Sequence, residues 1–352
     1  MERRHFLKSA ALLSSTSLLK VPFTGKEKKS PEAANLMTVE GPLAPDQTAM
    51  WLPHEHILSR FGVEPAEPAI YDSKAVVEDV GPYLKYIKSL GVDTIVDCTA
   101  AYFGRNAGVL KELAEFSGMN IITNTGWYGA ANDRYVPEKA YKMKPDQMAR
   151  EWINEFEKGI NGTGVKPGFI KTAVDGDGLS DIDAKLVRAA AQTHAATGLT
   201  IAVHTGGNVA GAKKELEILQ EENVSPEAWI WVHAQNVENP RELIEAAEKG
   251  AWISLDGIRS TYYANQEKQG KDTVMQHLEH CNALKQAGYL NQVLLSHDGS
   301  SYPPEGKVKR PFDVLITTFI PMLKAAGYSD AEINQLTRTN PAKAFQVDKR
   351  MI

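Results

Sequence analysis

The sequence is poor in cysteine. Cys98 and Cys281 are the two it has in 352 residues, and CxxC spacing is absent. That excludes a disulfide framework and a thiolate zinc site, and leaves two free, buried thiols as the expectation. Basic runs are lacking too. Lys and Arg number 39 against 44 Asp and Glu, a net charge of -5. No cluster of cations is long enough to follow a phosphate backbone, so nucleic acid is excluded as the main partner and a small soluble substrate is favoured. No apolar run approaches the roughly 18 residues of a membrane span. No GxGxxG or Walker-type loop follows any strand candidate, which argues against a nucleotide-binding open sheet. What is present, 43% hydrophobic and 24% charged residues, is the balance of a globular chain.

The first 35 residues differ in kind from the rest. MERRHFLKSAALLSSTSLLK sets Arg3 and Arg4 before a short, weakly apolar stretch, the pattern of a twin-arginine export signal. No clean A-x-A cleavage site precedes the polar KEKKSPEAAN segment. Residues 1–35 are therefore expected to be a signal segment and polar linker, and 36–352 one domain exported, already folded, to the periplasm.

From Leu36 onward, short runs rich in β-branched residues alternate with longer stretches of helical spacing. The strand candidates are AMWLPHEHIL, DTIVDCT from Asp93, NIITNTG from Asn120, GFIKTAV from Gly168, LTIAVHTG from Leu199, WIWVHAQ from Trp229, AWISLD from Ala251 and QVLLSHDG from Gln292. Segments such as AKLVRAAAQTHAATG and NPRELIEAAEKG lie between them, with a Gly where each helix should end. Strand then helix, repeated around eight buried-looking strands, predicts an α/β fold, a single-domain (β/α)8 TIM barrel.

Chemistry in such a barrel sits at the C-terminal ends of the strands. In WLPHEHILSRFG, His54 and His56 are two apart on a strand and project from one face. Alone, an HxH pair is as often a turn cap beside a core histidine as a metal pair. The other strand ends decide, with Lys171 on the fourth, His204 on the fifth, His233 on the sixth and His297-Asp298 on the eighth. Of the remaining histidines, His5 belongs to the signal segment, His194 to a helix, and His277 and His280 to a helical stretch where a solvated face is expected. Four imidazoles and a carboxylate suit zinc, manganese, cobalt, iron or nickel rather than calcium or magnesium. Lys171 would be repelled as an ammonium and needs a depressed pKa as an amine. Carbon dioxide adding to the neutral amine resolves this, because the resulting carbamate has two oxygens that can bridge two metals.

HEHI, GFIKTAV, ATGLTIAVHTG and SHDG, in this order and spacing and followed by TTFIPMLKAAGYSDAEINQLTRTNPAKAF, resemble the phosphotriesterase family of the amidohydrolase superfamily. The resemblance covers nearly the whole chain after the signal segment. It implies that His54, His56 and Asp298 hold one divalent metal ion, that His204 and His233 hold the other, and that N-carboxylated Lys171 bridges them with a shared hydroxide. The metals would ionise that water and polarise a C=O or P=O. Asp298 would be the catalytic residue, taking the proton from the attacking hydroxide and passing it to the leaving group. A homodimer is implied as well. Two departures stand out: Asn236 where phosphotriester-cleaving members carry an Asp, and Gly257 where these carry a His and lactonase-like members an Arg. Arg259 is near enough to substitute.

Specificity is expected from the loops. Trp127, Tyr128 and Arg134 follow the third strand, Arg259, Tyr262 and Tyr263 the seventh, and Tyr302, Lys307, Lys309 and Arg310 the eighth. Trp127, Tyr128, Arg259 and Tyr262 are the expected substrate-binding residues, and Arg with Tyr suits an oxygen-rich or anionic substrate such as a lactone or ester of a sugar acid. The expected function is a binuclear metal-dependent hydrolase of a lactone or carboxylic ester. Alternatives are a phosphotriester hydrolase and a non-catalytic metal-binding barrel. A Schiff-base lyase using the Lys171 amine would leave four convergent histidines without a role.

Overall fold

The computed structural model describes residues 35–259 and 273–352. The expected signal segment, Tyr262 and Tyr263 lie outside the described residues. A hairpin comes first, β1 (Leu36–Thr38) with β2 (Gly41–Leu43). The sequence reading omits it because three-residue strands carry too little periodicity to see. Then follow β3 (Met50–Leu58), β4 (Val92–Asp97), β5 (Asn120–Ile122), β6 (Asn124–Thr125), β7 (Phe169–Ala173), β8 (Thr200–His204), β9 (Trp229–Val232), β10 (Trp252–Leu255), β11 (Val293–Leu295) and β12 (Gly299–Tyr302).

These pair in parallel, in the orders β12-β3-β4-β5 and β11-β10-β9-β8-β7-β6. β5 and β6 are one strand interrupted at Thr123, and β11 and β12 one strand interrupted at 296–298. Each interrupted strand gives one half to each sheet. The sheets therefore close on one another, and the expected eight-stranded parallel barrel results.

Alternation along the strands sorts the apolar residues. Trp51, Ile122, Phe169, Ala202 and Ile230 point inward and form one buried cluster with Leu36 of the hairpin and Phe345 near the C-terminus. Trp51 stacks on Phe345 with ring centroids 6.2 Å apart, and Phe169 meets that ring edge-on at 5.3 Å. Leu52, Ile121, Ile170 and Ile201 point outward into a second cluster with Leu84, Leu110 and Leu186 of the surrounding helices. Strands buried on both faces are what a helix-wrapped barrel requires. Each fully buried aliphatic side chain contributes about 1.5–3 kcal/mol, so the polar mouth is mounted on a rigid base.

One irregularity sets the site. Leu52 pairs with Ile95 but Glu55 with Asp97, so β3 takes three steps where β4 takes two. The extra residue falls at Pro53, which has no N–H for the ladder and is tolerated at a bulge. Trp51 faces inward before the bulge and His54 and His56 face inward after it. With unbroken alternation, Glu55 would face the mouth instead.

Glu215, on the helix Val209–Glu221 outside β8, is fully buried. It meets the Thr205 hydroxyl at 3.0 and 3.1 Å and accepts from the Trp229 indole at 2.9 Å. Burial pushes its carboxyl up from 4.5 to about 8. The folded state thus holds this proton more tightly than the unfolded chain. The linked stability is complete below pH 4.5, falls by about 1.4 kcal/mol per pH unit above that, and is lost as pH rises through about 8. Glu215→Gln keeps the shape and is expected to flatten the fall in Tm between about pH 6 and about pH 9. An unchanged pH dependence of Tm would mean the carboxylate is ionised in the fold.

Candidate metal centre

Six side chains singled out from the sequence converge on one cavity of about 610 Å³ at the mouth: His54, His56, Lys171, His204, His233 and Asp298. Asp298 Oδ1 lies 3.2 Å from His56 Nε2 and 3.7 Å from His54 Nε2. These three residues bring their donor atoms within 4.8 Å of one another, close enough to share one cation. The rings of His204 and His233 are 4.4 Å apart, and His54 lies 5.0 Å from His233. His233 and Asp298 follow the ends of their strands with φ of 60° and 51°. That left-handed region costs a non-glycine residue about 1–2 kcal/mol, strain that bends the chain so that both side chains return over the mouth.

Proton positions follow from the partners. The Thr99 hydroxyl donates to Leu58 O at 2.5 Å, so it accepts from His56 Nδ1 at 2.8 Å. His56 Nε2 faces Asp298 across the cavity. Asp256 accepts from His233 Nδ1 at 2.6 Å with one oxygen and faces His54 Nδ1 at 3.2 Å with the other. One carboxylate therefore orients two of the four imidazoles. Tyr128 OH and His204 Nδ1 are 3.1 Å apart.

Burial lowers His54 to about 4 against the opposing pull of Asp256, and lowers His204 well below 6.5. Both are neutral at physiological pH, the form that binds metal. Burial alone would raise Asp256 and Asp298. His233 and His54 more than offset this at Asp256, as do Arg310, His56 and Arg259 at Asp298, so both carboxyls lie well below their ordinary range.

Lys171 tests whether a metal pair fits. It is 1% exposed, its Nζ has no hydrogen-bond partner among the described residues, and burial lowers its pKa from 10.5 against the pull of Cys98, Asp256 and Asp298. His54 Nε2 is likewise buried without a hydrogen-bond partner. Two orphaned nitrogens on one cavity cost about 1–3 kcal/mol each. Metal ions, with a carbamate on Lys171, would satisfy both.

Glu55, between the two histidines, faces outward. It accepts from Ser296 Oγ at 2.8 Å, from His297 N at 3.1 Å and Nδ1 at 2.6 Å, and from Gly299 N at 2.7 Å. His297 Nε2 in turn accepts from Leu315 N at 2.8 Å. His297, grouped with the donors at the strand ends, is therefore a scaffold residue outside the cavity, tying β3 to the segment that carries Asp298.

Of the expected substrate-binding residues, Tyr128 lines the cavity. Trp127 does not, because alternation turns its ring outward against Trp152, edge-on at 5.5 Å, between barrel and helices. Arg259 donates to Asp298 Oδ2 at 2.6 Å, and Tyr262 lies outside the described residues. Lys307 and Arg310 line the cavity, whereas Lys309 turns away to Asp79 at 2.6 and 2.7 Å. Arg134 reaches the Gly62 carbonyl at 3.4 Å and Tyr302 packs on Tyr71, neither in this cavity. His277 and His280 are buried rather than solvated. Gly257 N donates to His277 Nε2 at 3.1 Å, and His280 Nε2 meets Val237 O at 3.0 Å. Both cysteines are free and buried, as expected.

Gln235 was given no role by the sequence. Its amide donates to Asp256 Oδ1 at 3.2 Å and accepts from Asp256 N at 3.1 Å. A Cβ on Gly257 would come within 2.6 Å of Gln235 Nε2 and push that amide off Asp256. Asp256 itself was legible, since it ends AWISLD at the mouth of a strand.

A closed barrel whose mouth gathers imidazoles, a buried amine and carboxylates defines a class, the (β/α)8 barrels able to hold divalent metal there. Within that class the chain belongs to the phosphotriesterase family, whose model matches residues 34–345. It is similar to a phosphotriesterase homology protein of Escherichia coli K12, 29% identical over 306 residues, or 86% of this chain and 99% of that one. It is also similar to an aryldialkylphosphatase of Saccharolobus solfataricus, 26% identical over 303 residues that cover 83% and 93% of the two chains. The solved organophosphorus hydrolase of Deinococcus radiodurans shares the fold, with a TM-score of 0.78 at 24% identity over 89% of this chain and 97% of that one.

Proposed function

We propose that this chain is a binuclear metal-dependent hydrolase that opens a lactone or cleaves a carboxylic ester. The observation that carries the reading is the Lys171 amine, buried among four imidazoles with no hydrogen-bond partner among the described residues. Two divalent ions, zinc in the first instance, held by His54, His56 and Asp298, by His204 and His233, and by a Lys171 carbamate between, would supply water ionised at neutral pH and a positive centre for the substrate's C=O.

The chain's own groups do the rest. Asp298, ionised and 3.2 Å from His56 Nε2, is placed to take the proton of the attacking water and return it to the departing alkoxide. Asp256 holds the His233 ring and faces His54, which keeps the Nε2 atoms on the cavity side. Phe61, Phe103 and Pro303 wall the cavity against bulk water and so strengthen the charge interactions inside it. Asn236 and Gly257 bring no titratable group to the places where the family resemblance sets a proton shuttle for phosphotriesters; Gly257 also lacks the arginine of lactonase-like members, and Arg259, 2.6 Å from Asp298 Oδ2, is the cation that stands near that place.

Protein purified in bicarbonate with zinc or manganese is expected to hold two metals per chain and to turn over a lactone or carboxylic ester faster than a matched phosphotriester. Zero or one metal after reloading, with no turnover of any of these, would sink the reading.

A further inference from the structure

The hairpin after β11 carries a donor that hydrolysis itself does not use. Ser300 is the register partner of His56 across β12 and β3, so its side chain shares the inward face with the histidines. It is 5% exposed and lines the cavity, and its Oγ has no hydrogen-bond partner among the described residues. A buried hydroxyl left unsatisfied costs about 1–3 kcal/mol, and one aimed into a cavity marks a place for a ligand's oxygen.

Cations stand beside it. Ser300 and Arg310 exchange backbone hydrogen bonds across the hairpin, both 2.9 Å. Along the returning segment Val308 and Arg310 line the cavity, and Lys309 between them reaches out to Asp79. Lys307, near the tip, adds a second cation to the wall. Asp298 is the one acid among the described lining residues, and Arg310 lies 3.4 Å from its Oδ2.

We propose that Ser300, Arg310 and Lys307 form a subsite for an anionic oxygen group, a carboxylate or sulfonate carried by the substrate away from its scissile bond. The inference rests on the hydrolase reading and narrows it to anionic esters and lactones. The Arg310 guanidinium adds its charge to the wall where such a group would sit, the serine hydroxyl donates to one of its oxygens, and Lys307 draws the anion to the mouth. Because Arg310 already reaches Asp298, an anion held there keeps the scissile bond near the metal-binding side chains.

The test compares two esters with one leaving group on zinc-loaded protein, the mono-p-nitrophenyl ester of glutaric acid and the uncharged p-nitrophenyl butyrate. The ratio of their kcat/KM values is expected to favour the anionic ester by at least about tenfold, to fall below about twofold in Arg310→Gln and to invert in Arg310→Glu. Lys307→Gln, on the exposed tip, is expected to lower the ratio by about threefold, and Lys309→Gln to leave it unchanged. A wild-type ratio near one, or a ratio that survives Arg310→Gln, overturns the subsite.

A binding arm separates the two readings. Glutarate and butyrate are titrated calorimetrically into the same metal-loaded protein, so that one carboxylate of each can meet the metals and only the second carboxylate reports on the subsite. Glutarate is expected to bind at least about tenfold more tightly, an advantage lost in Arg310→Gln and reduced in Ser300→Ala. If neither ester is cleaved yet this advantage appears and disappears as stated, the subsite stands and the hydrolase reading falls. Equal affinities overturn the subsite whatever the activity.

Discussion

Lys171→Ala is expected to abolish binuclear metal loading and to lower kcat/KM by at least about a thousandfold, or about 4 kcal/mol of transition-state stabilisation. The amine is buried beneath the mouth, and among the described residues no other side chain in the cavity lining offers a third group between His204, His233 and the His54, His56, Asp298 set. Lys171→Met sharpens the test. Methionine roughly fills the lysine's volume without an amine, so the metal-free protein loses an unsatisfied buried polar group worth about 1–3 kcal/mol and should melt several degrees higher. Function and stability then move in opposite directions. Two metals per chain in either variant, measured by elemental mass spectrometry, would show that Lys171 does not bridge. A metal-free Lys171→Met that melts lower than the parent would show that the amine is satisfied in solution.

Asp256→Asn is expected to weaken both metals together, by about 10–100-fold each. The carboxylate serves His233 Nδ1 with one oxygen and faces His54 Nδ1 with the other, and it accepts from Ser254 Oγ at 2.7 Å and from His233 N at 3.1 Å. Every one of these contacts uses a carboxylate oxygen as acceptor. An amide turns one acceptor into a donor, so one ring faces a clash or flips its proton to the nitrogen a metal needs. Since His54 and His233 are assigned to different metals, the damage cannot stay on one of them. Competition against a calibrated chelator measures both dissociation constants. Loss at one metal with the other unchanged would mean that Asp256 orients a single histidine.

The barrel strands were legible because each is apolar on both faces and ends in a polar residue, a pattern that survives without knowing the turns between them. The convergence of His54, His56, Lys171, His204, His233 and Asp298 was legible for the same reason, since they close strands or lie on them. Direction was harder to read. Trp127 and Lys309 each sit one step from a residue that faces the cavity, Tyr128 and Arg310, and alternation sends neighbours to opposite sides. Helical spacing joined His277 and His280 on one face but did not say that the face is covered by Gly257 and Val237. Glu55 and Gln235 act on backbone groups and on other side chains, and such contacts leave no spacing to find. Ser300 became visible only through its register with His56.

The bulge at Pro53 makes the centre a question of parity. The composition of WLPHEHIL does not by itself put two histidines into the barrel: two residues separate Trp51 from His54, and the bulge is what lets both face inward. Without the bulge, the same residues would keep every side chain, yet turn the histidines out among the helices and bring Glu55 into the mouth, exchanging an imidazole pair for a lone carboxylate. Loop lengths can therefore vary residue by residue, but inside β3 a residue gained or lost must be matched by a bulge gained or lost.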